Sequence, residues 1–200
     1  MAINNPKSVN VYNVRLSYVH LMKPHAMDAQ QAPKYSCTIL MPKSDVEGKA
    51  RIDAAIEAAK QDGLVKKFGG KMPPQLPTPI YDGDGYTASG NKFGPECAGC
   101  WVFSASSAAD RPIQIVDRSM NKIIDPTEVY SGMYANVNVN FFAYAAPGRK
   151  GIGCGLGPVQ KVADGEPLGG SAPAASDCFT ALGAEPAAAP KINPLTGQPM

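Results

Sequence analysis

The stretch NVNVNFFAY, Asn136 to Tyr144, decides the fold. Side chains alternate across a strand with a period of two, so Val137, Val139, Phe141 and Ala143 share one face. That apolar set predicts a strand packed on a core. The other face carries Asn136, Asn138, Asn140, Phe142 and Tyr144. Solvated strand faces are usually Thr, Lys, Glu and Ser, so amide edges followed by two rings suggest a surface built to touch something flat and polar. The bland alternative is a wet face with two incidental rings.

Downstream, APGRKG (146–151) reads as a hairpin turn into GIGCGLGPVQKV (151–162). Gly151, Gly153, Gly155 and Gly157 fall on one face of that second strand, which there has no side chains and admits close approach. The spacing is not G-x-G-x-x-G, and no Lys-Ser or Lys-Thr follows, so a nucleotide cofactor is not indicated. If the two strands pair, a bare glycine lane lies beside the asparagine and aromatic lane, with Arg149 and Lys150 at its end. That suits an extended polymer with flat bases and a charged backbone. Alternatively, the glycines merely admit a tight barrel bend.

Upstream, SVNVYNVRLSYVHL (8–21) predicts a long strand or a bent strand pair, and KYSCTILM (34–41) a second strand closed by Pro42. SDVEGKARIDAAIEAAKQDG (44–63) predicts a helix, with Ser44 and Glu47 as a capping box and Gly63 as the stop. Ile52, Ala55, Ile56 and Ala59 give it one narrow apolar stripe. Residues 64–99 form a Pro- and Gly-rich arm carrying Lys66, Lys67, Lys71 and Lys92. CWVFSAS (100–106) and PIQIVD (112–117) are further strand candidates. The plan is mainly β with one inserted helix, and the expected fold is a partly open Greek-key barrel of the OB type. The expected domain spans 1–165, and the Ala-, Pro- and Gly-rich residues 166–200 are expected to be a disordered tail.

Two hundred residues of 44% hydrophobic content suffice for one such domain. No run approaches the roughly 20 apolar residues of a membrane span, and the start MAINNPKSVN has no signal-peptide pattern, so a cytoplasmic protein without membrane contact is expected. Net charge is only +2, but residues 1–161 carry 18 basic against 13 acidic side chains, while residues 162–200 carry one against four. A basic body with an acidic tail allows the tail to compete for the body's site.

Base stacking is sequence-tolerant, and Phe142 and Tyr144 are the first candidates for it. Tyr12 comes next, followed by Tyr18, Tyr35, Trp101 and Phe103. Arg15, Lys34, Lys71, Arg111, Arg118, Arg149 and Lys150 could track phosphates. CAGC at Cys97–Cys100 lacks the second pair of a structural zinc site, and DGDG at 82–85 lacks the remaining ligands of a calcium loop. His20 and His25 have no evident nucleophile or metal partner. No cofactor, metal or enzymatic activity is expected.

Taken in order, VRLSYVHL, KYSCTILMPKSD, GGKMPPQLPTPIYDGD, QIVDRSMNKIIDPTEVYSGMY, NVNFFAY and KGIGCGLGPVQKVADGEPLGG resemble a tailed-bacteriophage family of OB-fold single-stranded DNA-binding proteins, formerly a domain of unknown function. The resemblance runs from about Val14 to Gly170. It implies a protein that coats single strands during phage replication or recombination in the cytoplasm of the infected bacterium. It also raises duplex DNA as a second ligand, self-association on DNA, and a tail that recruits replication or recombination proteins or competes for the DNA site. Asp177 and Phe179 would be the tail's partner motif, although the segment has fewer carboxylates than is typical of such tails. The rival reading is a virion or assembly protein that uses the same face for protein contacts.

Overall fold

The computed structural model describes residues 5–26, 28–146 and 148–169. Of the expected tail, residues 166–169 are described and hydrogen-bond to the barrel through the Glu166 carbonyl and the Leu168 N–H, while residues 170–200, with Asp177 and Phe179, lie outside the described residues. Strand β1 (Ser8–His25) is followed by β2 (Lys34–Pro42), α1 (Val46–Lys66), β3 (Tyr81–Asp82), β4 (Cys100–Ala108), β5 (Ile115–Val116), β6 (Tyr134–Ala146) and β7 (Arg149–Ala163).

The alternation predicted for Asn136 to Tyr144 holds. Val137, Val139 and Phe141 are buried on the inner face of β6, and β6 pairs with β7 through the expected hairpin. β1 is one continuous strand that bends. Asn13 (φ 48°) and Tyr18 (φ 47°) sit where its register shifts against β6 and β2 respectively. Left-handed conformations of this kind bulge a strand and increase its coil. The first half of β1 therefore pairs with β6 and the second with β2. β2 pairs in turn with β4, and β4 meets β7 in parallel through Ser106 and Gly155. Strands β1, β2, β4, β6 and β7 thus close a five-stranded Greek-key barrel with a thin seam between β4 and β7. This is the OB-like plan expected from the sequence.

Helix α1 buries Ile52, Ala55, Ile56 and Ala59 as predicted. Both of its ends differ from the prediction. The N-cap is Asp45, not Ser44; the Asp45 carboxylate accepts the Gly48 N–H at 2.8 Å. Gly63 does not stop the helix, which runs on to Lys66. Gly63 is buried within it because its bare Cα faces the Ala143 methyl; a Cβ there would come within 2.3 Å of Ala143 Cβ. The strand predicted over PIQIVD shrinks to two residues, paired in parallel with Val159 and Gln160 of β7.

The 64–99 arm has little regular structure but is fastened to the barrel. Lys43 pairs with Asp82 and Asp84, Asp84 accepts the Gly99 N–H, and the Pro77 carbonyl accepts the Ile152 N–H at 3.0 Å. Beneath it, Leu40, Cys97 and Val102 form a small second core, flanked by Phe93, Cys100 and Leu168.

Candidate nucleic-acid interface

β6 loses β1 as a neighbour after Asn140 and Phe141, where Asn140 pairs with Ser8 and the Phe141 N–H donates to the Lys7 carbonyl. Beyond that point its edge has no β1 partner, and Phe142 and Tyr144 on its outer face stand 42% and 37% exposed. Their register partners on β7 are Gly153 and Gly151. A Cβ at Gly153 would lie 2.7 Å from Phe142 Cζ, and one at Gly151 would lie 2.7 Å from the Tyr144 hydroxyl. The far ends of both rings therefore lie across the glycine lane. The sequence suggested that this lane stands open for a ligand; here the protein's own rings fill it, and Asn138 does the same over Gly157. The glycines seat the rings, and the exposed ring surfaces are what a ligand meets.

These rings open onto a groove of about 910 Å³. Tyr18 enters it from the bulge in β1 and is 69% exposed. Ser104 and Ser106 enter from β4, and Tyr81, Lys92 and Phe93 from the arm. Tyr81 and Phe93 form a tilted pair with centroids 6.3 Å apart. The Thr38 and Ser104 hydroxyls bond at 3.0 Å across β2 and β4. The groove thus combines five aromatic rings besides the core residue Phe103, several hydroxyls, one lining cation, Lys92, and one lining carboxylate, Glu96. The sequence reading singled out neither Tyr81 nor Phe93 and placed Lys92 only within a basic arm. The available signal was aromatic residues dotted through a proline-rich stretch.

The asparagines do not join this groove. Asn136 and Asn138 line a separate cleft of about 660 Å³, together with Tyr12 and Met120. Their amides are largely engaged within the protein. Asn136 accepts the Asn13 N–H at 2.9 Å and donates to Gln160 at 2.9 Å; Asn138 donates to Asn10 at 2.7 Å; Asn140 accepts from the Asn5 amide at 3.0 Å. Tyr12 is exposed on that side, with the Arg51 guanidinium 5.9 Å from its ring.

The predicted cations are dispersed. Arg149 and Lys150 are exposed opposite Ala146 and Ala145, at the end of the strand that carries Tyr144. Lys34 lines a third cleft that adjoins the groove at Tyr18. The Arg15 guanidinium is engaged, donating to the carbonyls of Glu166 at 2.7 Å and Gly132 at 3.4 Å. Lys71 and Arg118 are exposed and line none of these three clefts. Of the secondary ring candidates, Phe103 is core, Tyr35 is half-buried, and Trp101 lies under the Lys43 and Lys49 ammoniums at 5.2 and 4.8 Å.

The cysteines among the described residues are poorly suited to thiolate chemistry. Burial pushes the Cys37 thiol up to about 12 and Cys97 up to about 11, and raises Cys100 and Cys154 as well. Nucleophilic and metal-binding cysteines need the opposite shift. Among the described residues, no three His, Cys, Asp or Glu side chains cluster as a metal site, and no helix is long and apolar enough to cross a membrane.

Known proteins resemble this chain in sequence and fold. Putative protein p50 of Acyrthosiphon pisum secondary endosymbiont phage 1 is 29% identical over 184 residues, covering 87% of this chain and 93% of its own. The single-stranded DNA-binding protein of bacteriophage Enc34, solved in complex with ssDNA, is 32% identical with a TM-score of 0.68, over 82% of this chain and 90% of that one. The single-stranded DNA-binding protein gp2.5 of bacteriophage T7 shares the fold at 15% identity, with a TM-score of 0.54 over 90% of this chain and 98% of its own. Residues 7–188 match the family model described as Enterobacter phage Enc34, ssDNA-binding protein, and the chain belongs to that family.

Proposed function

We propose that this protein binds single-stranded DNA with little sequence preference, stacking bases on the rings of the 910 Å³ groove. The observation that carries this reading is the convergence of Phe142, Tyr144 and Tyr18, from two barrel strands, with Tyr81 and Phe93 of the arm around one groove. Every base has a π-face, and stacking is worth about 1 to 3 kcal/mol per base. Lys92 within the groove, and Arg149 and Lys150 in the hairpin beyond Tyr144, supply phosphate contacts that carry no sequence information. The protein acts without an enzymatic step, coating and protecting single strands during phage replication or recombination in the cytoplasm of the infected host.

Fluorescence anisotropy of labelled oligo-dT across a salt series tests this, with duplex DNA and RNA of equal length beside it. Binding to the single strand that weakens linearly in log salt is the expected result. No binding at low salt would overturn the reading and leave the groove to a protein partner.

A further inference from the structure

The groove continues past Tyr18. Tyr18, Thr38, Ser104 and Ser106 also line the adjoining cleft of about 610 Å³, beneath the outer part of the β1–β2 hairpin. In that cleft the imidazoles of His20 and His25 stack with centroids 4.3 Å apart and planes 16° from parallel. Lys34 is the cross-strand partner of His25 and lines the same cleft.

The charge of this cleft is one-sided. Its titratable groups are Tyr18, His20 and His25 from β1 and Lys34 and Cys37 from β2, while β4 supplies only uncharged groups such as the Ser104 and Ser106 hydroxyls. Among the described residues no carboxylate lines it. Two parallel imidazoles so close repel once both are protonated. Burial first, and the His25 charge second, hold His20 below the ordinary histidine value. An anion in the cleft would reverse that balance by offsetting the repulsion.

We infer that this cleft holds a backbone phosphate of the bound strand against His20, His25 and Lys34, and that it does so with proton uptake. The inference rests on the single-strand reading of the groove, because it is the strand leaving the groove past Tyr18 that reaches the cleft. A phosphate raises the histidine pKa in the complex above that of the free protein. The added affinity is therefore fully present at pH below the free-protein value and is lost as pH rises through the value in the complex.

Oligo-dT is the probe, since thymine does not titrate in this range. Its affinity for the full chain should tighten about three- to tenfold between about pH 7.5 and about pH 5.5, one proton's uptake being worth up to roughly tenfold per pH unit. The His20→Gln/His25→Gln double variant should show no such tightening. In the unsubstituted protein, saturating oligo-dT should move the imidazole titration seen by NMR upward by about one unit, a readout that needs no variant to fold. Binding with an equal pH response in both proteins and an unmoved imidazole titration would overturn the cleft while leaving the groove intact. Absence of binding at either pH would overturn both.

Discussion

The ring of Phe142 lies across the bare Cα of Gly153, its register partner on β7, with Cζ 2.7 Å from where a Cβ would stand. The atom in the way is the far end of a half-exposed side chain, so a substituent at 153 displaces the ring and leaves the backbone in place. Gly153→Val should therefore weaken oligo-dT binding by about 1 to 3 kcal/mol, the worth of one stacked base. Anisotropy titration reads the loss, and an unchanged denaturation midpoint would assign it to the ring.

Removing the rings themselves is the direct counterpart. Phe142→Ala/Tyr144→Ala deletes two side chains that are 42% and 37% exposed, so the melting temperature should move little while affinity falls more than tenfold. Loss of the cooperative melt would mean that the rings belong to the core.

Lys92 is the cation that the arm brings into the groove. Lys92→Gln should weaken binding about equally for oligo-dT and oligo-dA, and lower the log-salt slope by about one. A change confined to one base composition would count against a phosphate contact.

Gly63 tests how the helix sits on the barrel. In an exposed helix, Gly→Ala stabilises by up to about 1 kcal/mol. Here the new methyl would meet Ala143 Cβ at 2.3 Å and Phe68 Cε2 at 3.1 Å. Gly63→Ala should destabilise by about 1 to 3 kcal/mol, as overpacking does, measured by urea denaturation.

The arm's fastening depends on charge. The Lys43 side chain, by its hydrogen bond first in each case, holds the Asp82 and Asp84 carboxyls below the usual aspartate value. Because those pKa values are depressed in the fold, the clip is intact at neutral pH and is lost as pH falls through and below the ordinary carboxylate range. Hydrogen-exchange protection over residues 78–98, taken relative to the intrinsic rate at each pH, should fall on acidification in that window. Lys43→Met should give the same loss of protection at neutral pH.

The barrel was legible because its signals are periodic. The β6 alternation and the α1 stripe recur every two or every three to four residues, and burial follows them. Half of the groove was legible for the same reason, since Phe142 and Tyr144 sit at alternating positions on a strand. Tyr81 and Phe93 were not, because an irregular arm has no period from which to infer a facing direction. The role of the glycine lane depended on the Phe142–Gly153 register, which the hairpin sets and composition does not reveal. The division of the outer β6 face between two clefts was not legible, because the contacts of the asparagines depend on tertiary geometry such as the bulge at Asn13, which turns a backbone N–H towards Asn136. Ser44 and Asp45 are neighbouring residues that can both cap, and only backbone geometry chooses between them. At Gly63 a tertiary contact overrode the local preference of glycine for helix ends.

The seam between β4 and β7 is held by the single Ser106–Gly155 pair, and beside it the arm's Pro77 carbonyl takes the Ile152 N–H that no barrel strand receives. The segment that walls the groove is therefore also a stave of the barrel. Arms of this kind cannot be traded between relatives as interchangeable cassettes: a chimera must carry the Pro77 contact and the Lys43 anchor along with the new sequence, or it gives up barrel closure in exchange for a new binding preference.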